Sequence, residues 1–415
     1  MTKLWLFCAC LCLVGSAYAG ESTPLRLDDA IKLALENSPA IKGAEAEYGA
    51  AFGERHQASS LLNPVVGFEA ENFNGNGIYN STNNSEWTIG LSQTVEIGGK
   101  RPARIQAADN GLQIAQYGKS IAALDLIRSV KLAFANVVAI QEEAVITQEQ
   151  AILARDVYKS VDKRVSAAAE PLVQRNKAKI LLANAELISE QTKRQRNISL
   201  KMLGLLMGGK TINSVSTERF YELVKPEMST NIQKSLQNSV DYKQKSAGIS
   251  QAKSILHLER ANSIPNPTFN IGVRDFRATN NQALVVGISL PLPVFNLNQG
   301  NIEKSRQLVV KADADRQKSL LIGQTNIAEH NQSLQNAYLT ALKIKSVILP
   351  EAQEAFVQAR RGYNAGKFAY LEVLDAQRTL ADTRLTYIRT LRDFHIQKAE
   401  IERLLAHEFE TREIK

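Results

Sequence analysis

The sequence predicts a mainly α-helical protein with a small transmembrane β part, built as an internal tandem repeat. Three observations carry this. Two very long, proline-poor helical stretches each fold back at a short turn, one around Ser166–Glu170 and one at Gly366. Each is preceded by two short runs with the two-residue alternation of β-strands. The whole unit then recurs at an offset of about 200 residues.

The first residues read as an export signal. Lys3 supplies the basic end, Leu4 to Val14 a short apolar run, and Ala17-Tyr18-Ala19 a small-x-small cleavage site, which makes Gly20 the expected mature start. Cys8, Cys10 and Cys12 all fall inside that run and none follows a lipobox-like triplet, so no lipid anchor is expected. Without them the chain has no cysteine, which excludes disulfides, thiolate metal sites and cysteine nucleophiles together. The formal net charge of +8 is spread along the chain, with no Lys/Arg block interleaved with aromatics, so no nucleic-acid partner is expected.

A first helix is signalled from Arg26, with Asp28 and Asp29 in its first turn and Leu27, Ala30, Ile31, Ala34 and Leu35 on one face. Asn37-Ser38-Pro39 interrupts it, and a second helix is expected from Ala40 to about Ser59. Beyond Asn63-Pro64 the period drops to two, and a polar loop at 74–85 leads to a second strand from Trp87 to Glu96. The junction Ile97-Gly-Gly-Lys-Arg-Pro102 follows, with Pro102 suited to a first helical turn. Gly98, Gly99 and Lys100 do not make a phosphate loop, because Thr94 stands where that motif needs glycine and Arg101 where it needs Ser or Thr.

From 103 to 167 runs the longest helical segment, about 100 Å if continuous. Leu126, Val130, Ala133, Val137, Ile140, Ala144, Thr147, Ala151, Ala154, Tyr158, Val161 and Val165 step alternately by four and three, the 3.5-residue beat of helices packed side by side. One seam and wide polar faces suit a tube wetted on both sides. A shorter arm returns from Pro171 to Leu206. In the second unit Tyr338, Leu342, Lys345, Leu349, Ala352, Phe356, Ala359 and Tyr363 keep the same beat, and Pro350 is expected to kink or restart that helix.

The expected division is a signal peptide at 1–19, a first repeat at 20–209 with a β-hairpin at 65–96 and a helical hairpin at 102–206, and a linker at 210–230. A second repeat follows at 231–409, with a β-hairpin at 268–290 and a helical hairpin at 300–407, then a tail at 410–415. Four strands cannot close a membrane barrel, since the smallest need about eight. Three chains would supply twelve, which predicts a homotrimer with a 12-stranded barrel continued by a long α-helical barrel.

This duplicated layout resembles the TolC-like outer-membrane efflux channels along essentially the whole mature chain. Asn63-Pro64 and Asn266-Pro267 before each first strand carry the resemblance, and so does Gly362-Tyr-Asn-Ala-Gly-Lys-Phe-Ala-Tyr-Leu-Glu-Val-Leu-Asp-Ala-Gln377 at the second tip. Ser92-Gln-Thr-Val-Glu-Ile-Gly-Gly-Lys-Arg101 is similar to the heavy-metal, cobalt–zinc–cadmium branch. The resemblance implies an outer-membrane barrel, a helical tunnel across much of the periplasm, and two partners: a periplasmic adaptor and an inner-membrane resistance–nodulation–division pump. It also implies that Tyr363, Glu372 and Asp375 form the periplasmic gate. The tip residues Arg164, Val165, Ala168, Gly362, Ala365 and Gly366 would then meet the adaptor. The first tip departs from the family pattern, with Ala168 where a glycine is usual.

No catalytic constellation appears, so no enzyme and no cofactor is expected. His56, His257, His330, His395 and His407 are scattered, without metal-ligand spacing. Glu372 and Asp375, three apart on one helix face, are read as a trimeric ring of charge, against the plainer reading that they simply solvate the tip or pair with neighbours such as Lys367 and Arg378. Two other functions are weighed beside metal efflux: an exit duct for drugs or type I protein secretion, and a coiled-coil scaffold without a channel.

Overall fold

The computed structural model describes residues 24–226, 231–365 and 367–407. The expected signal peptide, four residues of the expected linker, Gly366 and the expected tail at 410–415 lie outside the described residues. Helices α1 (Leu27–Asn37) and α2 (Pro39–Ser59) meet at Ser38, whose side chain accepts from the Ala40 backbone N–H while Pro39 occupies the first helical position. Strands β1 (Val65–Glu71) and β2 (Glu86–Thr94) follow, then α3 (Lys100–Ser166), a single helix of 67 residues, and α4 (Leu172–Leu206).

The second half repeats the order: α5 (Ile232–Gln237), α6 (Val240–Asn262), β3 (Thr268–Phe276), β4 (Asn281–Ser289) and α7 (Gln299–Lys343). A π-helical segment, Ile344–Ile348, then joins α7 to α8 (Leu349–Asn364), and α9 (Tyr370–Leu405) returns. Among the described residues no helix is long and apolar enough to cross a membrane.

The two β-hairpins fuse into one antiparallel sheet in the order β1-β2-β3-β4. Its two faces differ in kind. Phe68, Ile89, Val273 and Leu284 stand side by side on one face, and Val66, Leu91, Ile271 and Val286 form the next such row, all of them largely exposed. The opposite face is made mostly of Gly, Ser, Thr, Asn, Glu and Arg, with Val65, Phe276, Ala283 and Val285 among them. Among the described residues neither β1 nor β4 has a second partner strand, so both edges offer unpaired backbone groups.

The core lies midway along the helices, where Ala30 and Ala34 of α1, Val130, Val137 and Val138 of α3, Leu203 of α4, Ala341 of α7 and Leu391 of α9 are all buried. The stretch at 210–226 reads as a linker, but it also contributes to this core. Val215 and Phe220 are buried there, and Leu25 pairs with Val215 in a parallel bridge. Val215 and Phe220 stand five apart, a spacing that belongs to neither the helical nor the strand period, so the sequence carries no signal of their burial.

The α3 seam has the predicted register: of its twelve positions, none is exposed. The second seam needs a correction. Ala352 and Ala359 are buried as expected, yet Leu342 and Lys345 are exposed, and Leu334, Ala337, Ala341 and Ile344 are buried instead. The true seam runs one residue earlier before the π segment, because a π turn inserts one extra residue into the helix. Pro350 explains the insertion. It has no N–H to give the carbonyl four residues back, and its ring collides with that carbonyl in a regular α-helix. The wider turn just before it relieves both problems.

Candidate functional site

Two places hold the residues that sequence analysis singles out: the helical tips and the strand-to-helix junction. At the first tip α3 ends with Ala168 in the left-handed region (φ 58°). The Ala168 N–H donates to the Val165 carbonyl at 3.0 Å and the Ala169 N–H to the Arg164 carbonyl at 2.8 Å. This is a Schellman closure with alanine at the position glycine usually fills. Turn hydrogen bonds hold an L-residue where it costs about 1 kcal/mol more than glycine.

The second tip closes differently. The Ala365 N–H donates to the Arg361 carbonyl at 3.0 Å and the Lys367 N–H to the Gly362 carbonyl at 2.9 Å. Phe368 folds back so that its ring covers Gly362, where a Cβ would lie 2.2 Å from a ring carbon. A side chain at 362 would therefore have to displace the Phe368 ring.

The two tips touch through side chains. Arg164 Nη1 donates to the Tyr363 hydroxyl at 2.8 Å, and its guanidinium lies 6.0 Å from the centre of the Tyr363 ring. Arg164 also pairs with Glu170 at 3.3 Å. Tyr363 packs edge-on against Tyr370 with ring centres 5.3 Å apart. Burial, with Tyr363 alongside, pushes the Tyr370 hydroxyl well above its ordinary pKa, and among the described residues that hydroxyl has no hydrogen-bond partner.

Glu372 and Asp375 are both exposed on the first turns of α9, while Val373 and Gln377 face inward. Gln377 Nε2 donates to Gln150 Oε1 on α3 at 3.0 Å. Arg378 turns to Asp382 at 3.8 Å, and among the described residues neither Glu372 nor Asp375 has an ion-pair partner in the chain. Of the two plainer readings, pairing with Lys367 or Arg378 finds no support among the described residues of one chain, whereas solvation of the tip is consistent with the exposure of both carboxylates.

At the junction Gly98 (φ 72°) and Gly99 (φ 75°) turn the chain from β2 into α3. A side chain on Gly98 would also run into Ile264, 2.6 Å from its would-be Cβ. Lys100 is buried, and its Nζ donates to Asn266 Oδ1 at 2.5 Å. Arg101 donates twice to the Ser59 carbonyl, at 3.0 and 2.8 Å. Pro102 occupies the first turn of α3, and the Ala103 N–H donates to the Gly99 carbonyl at 3.1 Å.

Sequence analysis missed the main organiser here, Arg104. It donates to Glu96 at 2.5 and 3.1 Å and to the Ala58 and Ser60 carbonyls at 2.9 and 3.1 Å. Its hydrogen bonds hold the Glu96 carboxyl below the usual range. Asn266, noted beforehand only as part of an Asn-Pro pair, proves to tie the second repeat to the first. No spacing in the sequence signals either contact, since both cross from strand to helix or between repeats.

His330 faces Gln397 at 2.7 Å, His395 the Phe220 carbonyl at 2.9 Å and His407 the Asn238 carbonyl at 3.1 Å. Among the described residues no group of three or more His, Cys, Asp or Glu is placed to hold a metal ion.

Comparison with known proteins places these features in context. The profile of a family described as "Outer membrane efflux protein" matches residues 30–209 and 231–407. The cobalt-zinc-cadmium resistance protein CzcC of Cupriavidus metallidurans is 29% identical over 92% of this chain and 90% of its own. The nickel and cobalt resistance protein CnrC of the same organism is 25% identical over 72% and 71%. Among solved structures, the outer membrane protein VceC of Vibrio cholerae superposes with a TM-score of 0.74 at 20% identity, covering 92% of this chain and 97% of its own.

Proposed function

Given that the chain belongs to the outer membrane efflux protein family, we propose that it is the outer-membrane exit duct of a tripartite resistance–nodulation–division system exporting heavy-metal cations. The single observation that carries the cargo is similarity along nearly the whole chain to CzcC, a cobalt-zinc-cadmium resistance protein. CnrC, named for nickel and cobalt resistance, supports the same class.

In this reading three chains assemble. Four strands with two unpaired edges cannot stand alone in a bilayer, and edge pairing β1-to-β4 around a threefold axis gives twelve strands with no edge left. The apolar sheet face meets lipid and the polar face lines the pore. The long helices extend away from the membrane into the periplasm as a tunnel. Arg164, Val165, Ala168, Gly362, Ala365 and Gly366 are the surface offered to a periplasmic adaptor. Tyr363, Glu372 and Asp375 close the tunnel until the adaptor and pump engage. The junction at Gly98, Gly99, Lys100, Arg101 and Pro102 fixes the angle between barrel and tunnel.

The test is a deletion strain challenged with cobalt, zinc, cadmium and nickel salts and with bulky drugs, complemented by the gene in trans. Metal sensitivity of the deletion strain, reversed to tolerance by complementation, is the expected result. Unchanged metal tolerance with new drug sensitivity would replace metals by drugs as cargo. A protein recovered from the soluble periplasm without detergent would sink the channel reading altogether.

A further inference from the structure

The polar face of the sheet is ordered in rows, and their sequence from helix end to loop end is informative. One row is Gly67, Gly90, Gly272 and Val285, so three adjacent strands present no side chain at the same level. Backbones approach closely there: a Cβ on Gly272 would lie 2.7 Å from the Ile89 carbonyl oxygen. The next row toward the loops is Glu69, Thr88, Arg274 and Ala283, followed by Glu71, Glu86, Phe276 and Asn281.

Arg274 organises these two rows. Its Nε donates to Thr88 Oγ1 at 2.9 Å, its Nη1 to Glu86 Oε2 at 3.0 Å, and its Nη2 pairs with Glu71 Oε2 at 3.0 Å. One guanidinium on β3 thus reaches β2 and β1. Glu69 is exposed and, among the described residues, has no partner within the chain. The long loop beyond, residues 72–85, contains no charged side chain, and Arg277 in the second turn pairs with Asp275 at 3.3 Å.

We propose that Arg274 is a charge-selectivity determinant of the outer half of the pore, distinct from the acidic helical tip. This rests on the barrel reading above, which turns the polar face inward. Past the side-chain-free glycine level, these rows put the first fixed charges in the path of ions leaving the cell. Three carboxylates (Glu69, Glu71, Glu86) against one guanidinium leave each chain with a net charge of minus two there. Fixed charge lining a pore favours counter-ions, and lumen-facing substitutions tune barrel selectivity. Arg274 cancels part of an otherwise stronger cation preference, so export of cations is favoured without a trap of three unneutralised carboxylates per chain.

The test is reversal potential in planar bilayers under a potassium chloride gradient, on full-length protein whose outer-membrane abundance matches wild type. Arg274→Gln should raise the potassium-over-chloride permeability ratio about twofold or more, and Glu69→Gln should lower it. Arg274→Lys keeps the charge but loses the three-way hydrogen bonding, and should stay near the wild-type ratio. A conducting channel whose ratio Arg274→Gln leaves unchanged overturns the proposal alone. A ratio shifted equally by Arg274→Lys and Arg274→Gln overturns it too, by making Arg274 a structural stitch. A wild-type protein that forms no conducting pore overturns the barrel reading and this inference with it.

Discussion

Arg164 at the end of α3 donates a 2.8 Å hydrogen bond to the hydroxyl of Tyr363 at the end of α8, joining the tips of two helical hairpins about 200 residues apart in sequence. It is a contact between repeats, at the end of the molecule farthest from the sheet. Tyr363→Phe removes the acceptor and keeps the ring. An exposed hydrogen bond of this kind contributes about 0.5–1.5 kcal/mol. Cells carrying the variant should admit more of a bulky antibiotic, read as a lowered inhibitory concentration at normal outer-membrane abundance. Unchanged susceptibility would mean the bond does not hold the tip closed.

Glu372 and Asp375 are exposed on α9 with no partner in their own chain among the described residues. In a trimer they would converge as like charge near the axis. Replacing both by Ala should weaken cation preference in bilayers and loosen resting closure. Protein level should be unaffected, because exposed tip residues contribute little to stability. Unaltered conductance and selectivity would reduce the pair to solvation of the tip.

Ala168 holds a left-handed φ of 58°. Ala168→Gly should therefore stabilise the first tip by about 1 kcal/mol, measured as slower hydrogen exchange at the amides of residues 168 and 169. Faster exchange would show that glycine's added unfolded-state freedom outweighs the relieved strain.

The π segment and Pro350 can be separated by deletion. Removing exposed Ser346 turns the wide turn back into a regular α-helix and keeps Ile344, Leu349 and Ala352 on one seam, but it forces Pro350 against a carbonyl. The deletion alone should cost about 3 kcal/mol relative to the same deletion with Pro350→Ala, read from thermal melts. Equal melts would mean that Pro350 does not impose the π turn.

His395 supplies a pH dependence. Its Nε2 faces the Phe220 carbonyl at 2.9 Å and its ring stacks on Phe220. A carbonyl only accepts, so Nε2 carries the proton. Burial lowers its pKa below the ordinary 6.5, Lys398 adds to the lowering, and the Phe220 carbonyl, Glu222 and Glu402 oppose it. The unfolded state therefore binds the second proton more readily. Stability is intact above pH 6.5 and falls as pH drops from there toward the lower folded-state pKa. Protection factors of amides at 214–224, that is exchange corrected for its intrinsic pH dependence, should fall on acidification through that window, and His395→Gln should remove the effect. Protection factors in the wild type that stay constant through that window would contradict it.

Element order, the duplication and the α3 seam were legible in the chain alone, because periodicity and punctuation are local properties. Leu126 and Val130 are buried for the reason their spacing announces, and Ser38-Pro39 breaks a helix wherever it occurs. The second tip was legible too, through Gly362 and its neighbours. The tertiary structure alone decided what joins distant segments. A proline signals a disturbance, but only the folded helix shows it absorbed as one inserted residue at Ile344–Ile348, which shifts the preceding seam. Arg104 and Arg274 are unremarkable in sequence, and Asn266 stands out only as half of an Asn-Pro pair, since a polar side chain carries no pattern naming its partner. Their roles come from the β2–β3 pairing, which sets Arg274 beside Thr88 from the other repeat, and from the junction, which brings Lys100 within 2.5 Å of Asn266. Such contacts depend on register between strands far apart in the chain, which packing fixes and local composition does not encode.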